Sequence, residues 1–469
     1  MPHDTNSMYG RRRVLGGLIT AGTFAAAGCI GTDDPAGNGG NGNGDGNGNG
    51  GNGNGDGNGN GGNGDGNGNG GTEMAGSIDG WGWDIAARSL QLTAEAYEEE
   101  HDASVTVEEF GRSAMKDDLQ TRLASGSGAP DVAMLEMVDG HSYIDTGSLT
   151  DLSGHIEDAG VYDDFVPGVW EALSTEDAIY ALPWDIGPTA VYYRRDVYDE
   201  HGLDADSIET WDDVLEEGQK LPDDVYMLNL PPGDLAGVWR YQFRQLGNNP
   251  FTDDGAVNIH DEDSVTIART MKELHDAGVA SMLEGWSSAW FGAYESGEIA
   301  SLPSAAWMEG TLRAELPDTA GDWGVYKIPA FESGGPRASN WGGSSLMIPA
   351  QIEEPERNRG WDYIQWSLAT EEMQMLMFDE FGLFPALETT YENEAFDEEL
   401  DFFGGQPARR VFADVAQEIP DYRFSVDTPE VSNAINTEFE RMLRDDLDPE
   451  EAVMAAAETV AERTDRELA

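Results

Sequence analysis

From about Gly37 to Gly71 the chain is nearly all glycine and asparagine with scattered aspartates. Such a stretch has no apolar groups to bury and loses much entropy if ordered, so it reads as a flexible tether. A calcium-binding roll built on glycine-aspartate repeats would also need a regularly spaced apolar residue, which this stretch lacks. Folding is therefore confined to the roughly 395 residues from Thr72 onward, enough for two sizeable cores and too many for one small domain.

Upstream of the tether, Arg11, Arg12 and Arg13 precede an uncharged stretch from Val14 to Gly28 that runs into Cys29, the only cysteine. A basic flank before an apolar segment of about fifteen residues is the organisation of an export signal, too short to span a bilayer comfortably. The paired arginines before Val14 and Leu15 resemble a twin-arginine signal, which implies export of a folded protein. Ala26, Ala27 and Gly28 before Cys29 resemble a lipoprotein processing site, where the thiol receives lipid and becomes the new N-terminus. The expectation is an export signal over 1–28 and a lipid-anchored tether over 29–73, holding the protein at the extracellular face of the cytoplasmic membrane. A lone cysteine ending a cleaved signal, or a buried thiol, is the plainer alternative. With no second cysteine, the fold is expected to stand without disulfides.

The chain carries 90 acidic against 26 basic residues, a formal charge of -64. Such a surface repels nucleic acid and anionic lipid at ordinary ionic strength. Lysine occurs only at Lys116, Lys220, Lys272 and Lys327. Lysine scarcity with spread carboxylates resembles proteins of extreme halophiles and implies a haloarchaeal source, so the charge reports the solvent more than the ligand. It also means that a cluster of Asp and Glu carries little diagnostic weight.

Hydrophobic patterning supplies the fold class. Residues 77–83 read as a first strand and turn, 86–100 as a helix, and Ser104 to Phe110 alternates as a half-buried strand. Met115, Leu119 and Leu123 recur four apart on a further helix, and Val132 to Met137 is another strand. Strand, helix and strand at this spacing argue for parallel βαβ units with helices over the sheet. Downstream, two apolar stretches at 178–185 and 189–193 flank a turn, Thr210 can cap a helix with Asp213 three residues on, and 225–230 reads as a strand. Helices are expected over 239–246, 265–277 and 288–296, with short strands at 323–329 and 344–349 and a long helical region from about Glu354. Met373, Met375 and Met377 alternate and so do not share one helical face, which disfavours a soft-metal stripe. Val431, Ile435, Phe439 and Leu443, then Val453, Ala456 and Val460, mark two amphipathic helices expected to pack on a second α/β lobe.

The order of several segments resembles the extracellular solute-binding proteins of ABC importers, specifically the sugar-binding class that includes maltose-binding protein. The segments are Ser125 to Val132, Asp151 to Ser153, Ile179 to Trp184 with Ala190 to Tyr193, Trp211 to Leu215, Gly324 to Pro329, and Trp341 to Leu346. The resemblance covers about residues 76–460 and implies an α/β periplasmic-binding-protein-like fold, with two lobes joined by crossing segments and a ligand cleft between them. Mapped onto this chain it places the first lobe at 76–188 and 328–348 and the second at 189–327 and 349–469. It also implies a monomer that delivers solute to a membrane permease and ATPase, with no cofactor and no chemical step.

A sugar ring has a face of C–H groups and a rim of hydroxyls, suited to an aromatic platform flanked by carboxylates, amides and backbone groups. Thirteen tryptophans are present, several at strand ends or in glycine-bearing loops. The leading candidates are Trp81, Trp83, Trp184, Trp307 and Trp341, with Trp286 and Trp239 next. Trp341 precedes Gly342, where backbone can approach a ligand closely. Asp84, Glu136 and Asp185 are candidate hydroxyl acceptors and Tyr192 can add a ring and a hydroxyl. For each, core packing or an ordinary acidic surface is the competing reading. Arg244 and Arg337 would matter for an anionic ligand.

A neutral mono- or oligosaccharide is the expected ligand. A polyamine, peptide or phosphorylated polyol remains open within transport, because aromatics with carboxylates also hold amines. A surface adhesion protein could use the same anchor and tether. A glycoside hydrolase needs two carboxylates at a defined separation, which sequence cannot supply. The chain shows no Gly-x-Ser-x-Gly elbow, His-Glu-x-x-His zinc pattern or phosphate-cradling loop, and its seven scattered histidines point to no metal site.

Overall fold

The computed structural model describes residues 73–469. The expected export signal, Cys29 and nearly all of the glycine-asparagine stretch lie outside the described residues. The strands in chain order are β1 (Ser77–Trp83), β2 (Ser104–Phe110), β3 (Val132–Glu136), β4 (Ala181–Arg194), β5 (Leu228–Asn229), β6 (Ala280–Ser281), β7 (Ser301–Ala305), β8 (Trp323–Lys327) and β9 (Asn340–Met347).

The predicted βαβ unit forms. β1 and β2 run parallel in unbroken register from Ser77 opposite Ser104 to Trp83 opposite Phe110, joined by the helix Asp84–Glu100. β3 pairs parallel on the other side of β1 after the helix Arg112–Ser125, whose Met115, Leu119 and Leu123 are buried as their spacing requires. The sheet order is β2-β1-β3-β9-β4-β7, with β8 also on β4. A parallel sheet needs cover on both faces, and helices supply it here.

β4 is the structural bridge. Its first half pairs antiparallel with β9, with register shifts between Pro183 and Asp185 and between Ile186 and Pro188. From Thr189 onward it lies between β7 and β8. One extended segment thus leaves the first sheet and becomes the centre of the second, and β9 crosses back beside it. Two hydrophobic cores flank the crossing. The second is built around the helices Leu235–Gln245, Glu262–Asp276, Thr428–Arg444 and Pro449–Thr464. Thr428–Arg444 buries Val431, Ile435, Phe439 and Leu443 on one stripe, as their periodicity predicts. Thr210 caps the helix Trp211–Gly218 reciprocally with Asp213.

The packing divides the segment 349–469, which had been expected in the second lobe throughout. The helices Glu354–Leu368 and Glu371–Phe381 lie against Asp84–Glu100, and the helix Ala408–Ala416 covers β4 and β8. Trp361, Ile364, Met377 and Phe378 therefore belong to the first core. Only after 417–427 does the chain join the second, where the last two helices pack on each other and on Leu235–Gln245 and Glu262–Asp276. An apolar helix face announces that it will be buried, but its sequence position does not say against which lobe. The strand expected at 225–230 shrinks to β5, Leu228 and Asn229 paired with β6, with Tyr226 making an isolated parallel bridge to Ile299. Among the described residues no helix is long and apolar enough to cross a membrane.

Candidate functional site

A cavity of about 760 Å³ opens between the lobes. From the first lobe it is lined by Asp84, Arg112, Glu136 and Val138, and from the second by Asp234, Arg240, Tyr241 and Glu284. Trp286, Trp290, Trp307, Trp341 and Asn340 complete the aromatic and crossing-strand wall.

Each position follows from local chain direction. Asp84 is the first residue after β1, held at φ +48, and Glu136 ends β3, so both stand at the C-terminal edge of the sheet. Ligands of open α/β sheets gather at this edge, where side chains of adjacent strands and helix starts converge. Glu136 is bound by Arg112, whose Nε lies 3.1 Å from Oε2, and by Lys116 at 3.5 Å. Lys116 also pairs with Asp139, so this side of the cleft is an alternating row of fixed charges.

The aromatic wall is layered. Trp341 is half-buried and lies flat on Tyr241, with ring centroids 5.3 Å apart and planes 26° apart. Trp307 donates its indole N–H to the Trp341 carbonyl at 2.9 Å. Trp286 stacks on Trp307 at 6.0 Å and 21° while remaining 56% exposed. Trp286 also holds φ +63, a conformation that costs a non-glycine residue roughly 1–3 kcal/mol and clusters at functional sites. Gly342 follows Trp341 at φ +91 beside the Trp307 indole, and the Asn340 amide fixes the loop by donating to the Gly342 carbonyl at 2.6 Å.

Of the residues selected from sequence, the cavity brings together Asp84, Glu136, Trp286, Trp307, Trp341 and Gly342. Arg244 lines it too, and the others stand elsewhere. Trp81 is buried against Phe110, under the Arg122 guanidinium, because β1 is an inner strand covered on both faces. Trp83 is half-buried against the first core. Trp184 is 1% exposed, with its indole N–H directed at the Met377 sulfur at 3.1 Å. Tyr192 is fully buried and its hydroxyl donates to the carbonyls of Ala305 and Ala306. Trp239 stacks on Phe243 and donates to Ser264 Oγ at 2.7 Å. Asp185 lies inside the β4–β9 crossing, where it accepts hydrogen bonds from Ser344, and burial pushes its carboxyl up to about 7. This part of β4 is packed against helices and hydrogen-bonded along its edge to the 384–386 segment, which leaves Trp184 and Asp185 no open face.

Sequence reasoning missed the contribution of the helix Leu235–Gln245. Asp234 stands at its N-cap, and burial pushes its carboxyl above the usual range against the opposing pull of Arg240, the Gly237 backbone N–H and Arg112. Arg240 lines the cavity, and among the described residues its guanidinium makes no ion pair and no hydrogen bond. A signal existed in Gly237, a glycine in the first turn of the helix. Arg244 is buried, donating to the carbonyls of Pro420 and Gly168 over the Tyr422 ring, and burial lowers its pKa to about 10. Arg337 likewise spends its donors on the carbonyls of Ile328, Ile208 and Lys327. Arg337 is thus turned to backbone carbonyls, and Arg244 lines the cavity with Nε and Nη2 already engaged.

The profile of the family described as bacterial extracellular solute-binding protein matches residues 83–374, more than half of the chain. The chain belongs to that family. An arabinooligosaccharide-binding protein of Halalkalibacterium halodurans is 27% identical over 393 residues, covering 81% of this chain and 84% of that one. A lactose-binding protein of Rhizobium radiobacter is 28% identical, covering 79% of this chain and 89% of that one. Among solved structures, an ABC transporter associated binding protein from B. animalis subsp. lactis in complex with beta-1,6-galactobiose is 28% identical with a TM-score of 0.70. That match covers 83% of this chain and 98% of the other. The two-lobed periplasmic-binding-protein-like fold is thus the family's fold.

Proposed function

We propose that this protein is the extracytoplasmic sugar receptor of an ABC importer, closing its lobes on a di- or oligosaccharide and presenting it to the permease and ATPase. The supporting observation is an interlobe cavity of about 760 Å³ that combines tryptophan faces with carboxylates and with the Arg240 guanidinium, which makes no ion pair among the described residues. Trp341 and the Trp286–Trp307 stack offer two platforms for C–H faces. Asp84, Asp234 and Glu284 can accept hydroxyl protons and Arg240 can donate. The volume exceeds that of one sugar ring, and the relatives named above are sugar binders of two or more units. Closure about the crossing segments is favoured only by contacts that the open form lacks, so a ligand touching both walls supplies the drive. Catalysis plays no part in this role.

Calorimetry in molar salt with lactose, beta-1,6-galactobiose and arabino-oligosaccharides is expected to detect binding. Heat with spermidine and none with the sugars would assign the site to an amine instead. The anchor belongs to the same proposal. Cys29 carries lipid and the tether lets the receptor reach its permease from the outer face of the membrane. Cys29→Ser is expected to release the protein into the medium, and Arg11→Lys with Arg12→Lys to hold it inside. A fully retained Cys29→Ser protein would refute the anchor without touching the receptor.

A further inference from the structure

One face of the helix Leu235–Gln245 carries a feature that packing alone does not require. A Cβ added at Gly237 would fall 2.4 Å from Asp234 Oδ1 and 2.7 Å from Trp341 Cζ2. The carboxylate and the edge of the indole therefore converge on the same bare point of the helix. Gly237 lies in the first turn of the helix, and its missing side chain keeps open a space that an ordinary side chain would close. Arg240 follows one turn later, and Tyr241 beside it carries the Trp341 ring. At this N-cap the Gly237 N–H donates to the Asp234 carboxylate, which at the same time lines the cavity. In a chain with 90 acidic residues, Arg240 has no ion pair among the described residues although it lines the cavity.

We infer that Asp234 and Arg240 are the specificity-determining pair of the site, the carboxylate accepting from one hydroxyl and the guanidinium donating to its neighbour on the ring that lies against Trp341. This rests on the reading of the cavity as a sugar site. Gly237 acts as the spacer that lets platform and carboxylate meet at the ring's edge. A hydroxyl is both donor and acceptor, so an acid and a base placed side by side discriminate its presence and direction. A site that leaves these groups unpaired rejects a sugar lacking that hydroxyl.

The test uses the full-length protein in molar salt. Lactose, beta-1,6-galactobiose and arabinobiose are titrated calorimetrically, and the tightest binder is then offered as its series of monodeoxy analogues. Wild type is expected to lose about 10- to 100-fold at one or two adjacent positions. Asp234→Asn and Arg240→Gln are expected to bind the parent sugar more weakly by a similar factor and to lose nothing further at those positions. Gly237→Ala is expected to keep its melting temperature and lose more than tenfold in affinity. If each deoxy sugar costs wild type and both variants the same factor, the pair does not read the ligand and the inference fails while the sugar reading stands. If wild type binds none of the three sugars, the sugar reading fails first and takes the pair with it.

Discussion

Replacing Asp185 by asparagine should make the protein more stable at alkaline pH than at acid pH relative to wild type. Asp185 is 5% exposed in the β4–β9 crossing, where Ser344 donates to it and the nearby Glu136 carboxylate opposes its ionisation. Burial is the dominant cause and lifts its pKa from 3.8 to about 7. The folded protein therefore holds a proton on this group between about pH 4 and pH 7 that the unfolded chain has released. Stability falls with rising pH wherever the folded state binds more protons, so this group's contribution declines across that window and is level above pH 7. The gap between 3.8 and about 7 corresponds to roughly 4 kcal/mol at full effect. Asp185→Asn keeps an oxygen for Ser344 and removes the titration. Denaturant midpoints for both proteins at fixed molar salt from pH 4.5 to 8.5 isolate the term, because every other carboxylate cancels in the difference. The variant's advantage should grow by about 2–4 kcal/mol across the range, with most of the change below pH 7. Parallel curves would mean that Asp185 is ionised in the folded protein and that solvent or a cation reaches it.

Trp184→Ala and Trp341→Ala should separate stability from binding. The first empties a fully buried site against Met377 and should cost about 3–5 kcal/mol in chemical denaturation, whereas the second should leave the midpoint nearly unchanged and weaken the sugar about tenfold or more. Trp286→Ala, at an exposed position, should shift stability by no more than about 0.5 kcal/mol while reducing affinity in titration. Arg244→Met should destabilise by about 1–3 kcal/mol by leaving the carbonyls of Pro420 and Gly168 without their donor, and a neutral outcome in denaturation would show that water replaces it.

The parts of the fold legible in the sequence were those governed by local periodicity. The βαβ unit at 77–136, the Thr210–Asp213 capping box and the stripe Val431-Ile435-Phe439 each follow from spacing, and each formed. The side of a strand on which a residue emerges was legible only where the strand keeps an uncovered face. β1 and β4 do not, so Trp81, Trp184 and Tyr192 went inward despite their strand-end or turn-flanking positions. Trp307 and Trp341 reached the cavity from segments with glycine nearby.

Charge was informative in the opposite sense from the one its abundance suggests. With 90 acidic residues, an aspartate near a predicted loop is ordinary, and Asp84, Glu136 and Asp185 drew attention equally although they ended in three different settings. With only 26 basic residues, almost any inward guanidinium should find a carboxylate or a set of carbonyls, as Arg112, Arg244 and Arg337 do. Arg240 finds neither among the described residues, although Asp234 stands near enough to feel its charge. Holding such a group unpaired beside a half-buried carboxylate is expensive for the free protein. That cost is recovered only when something with hydroxyls arrives to satisfy both, which makes the scarce base a better marker of the site than any of the acids.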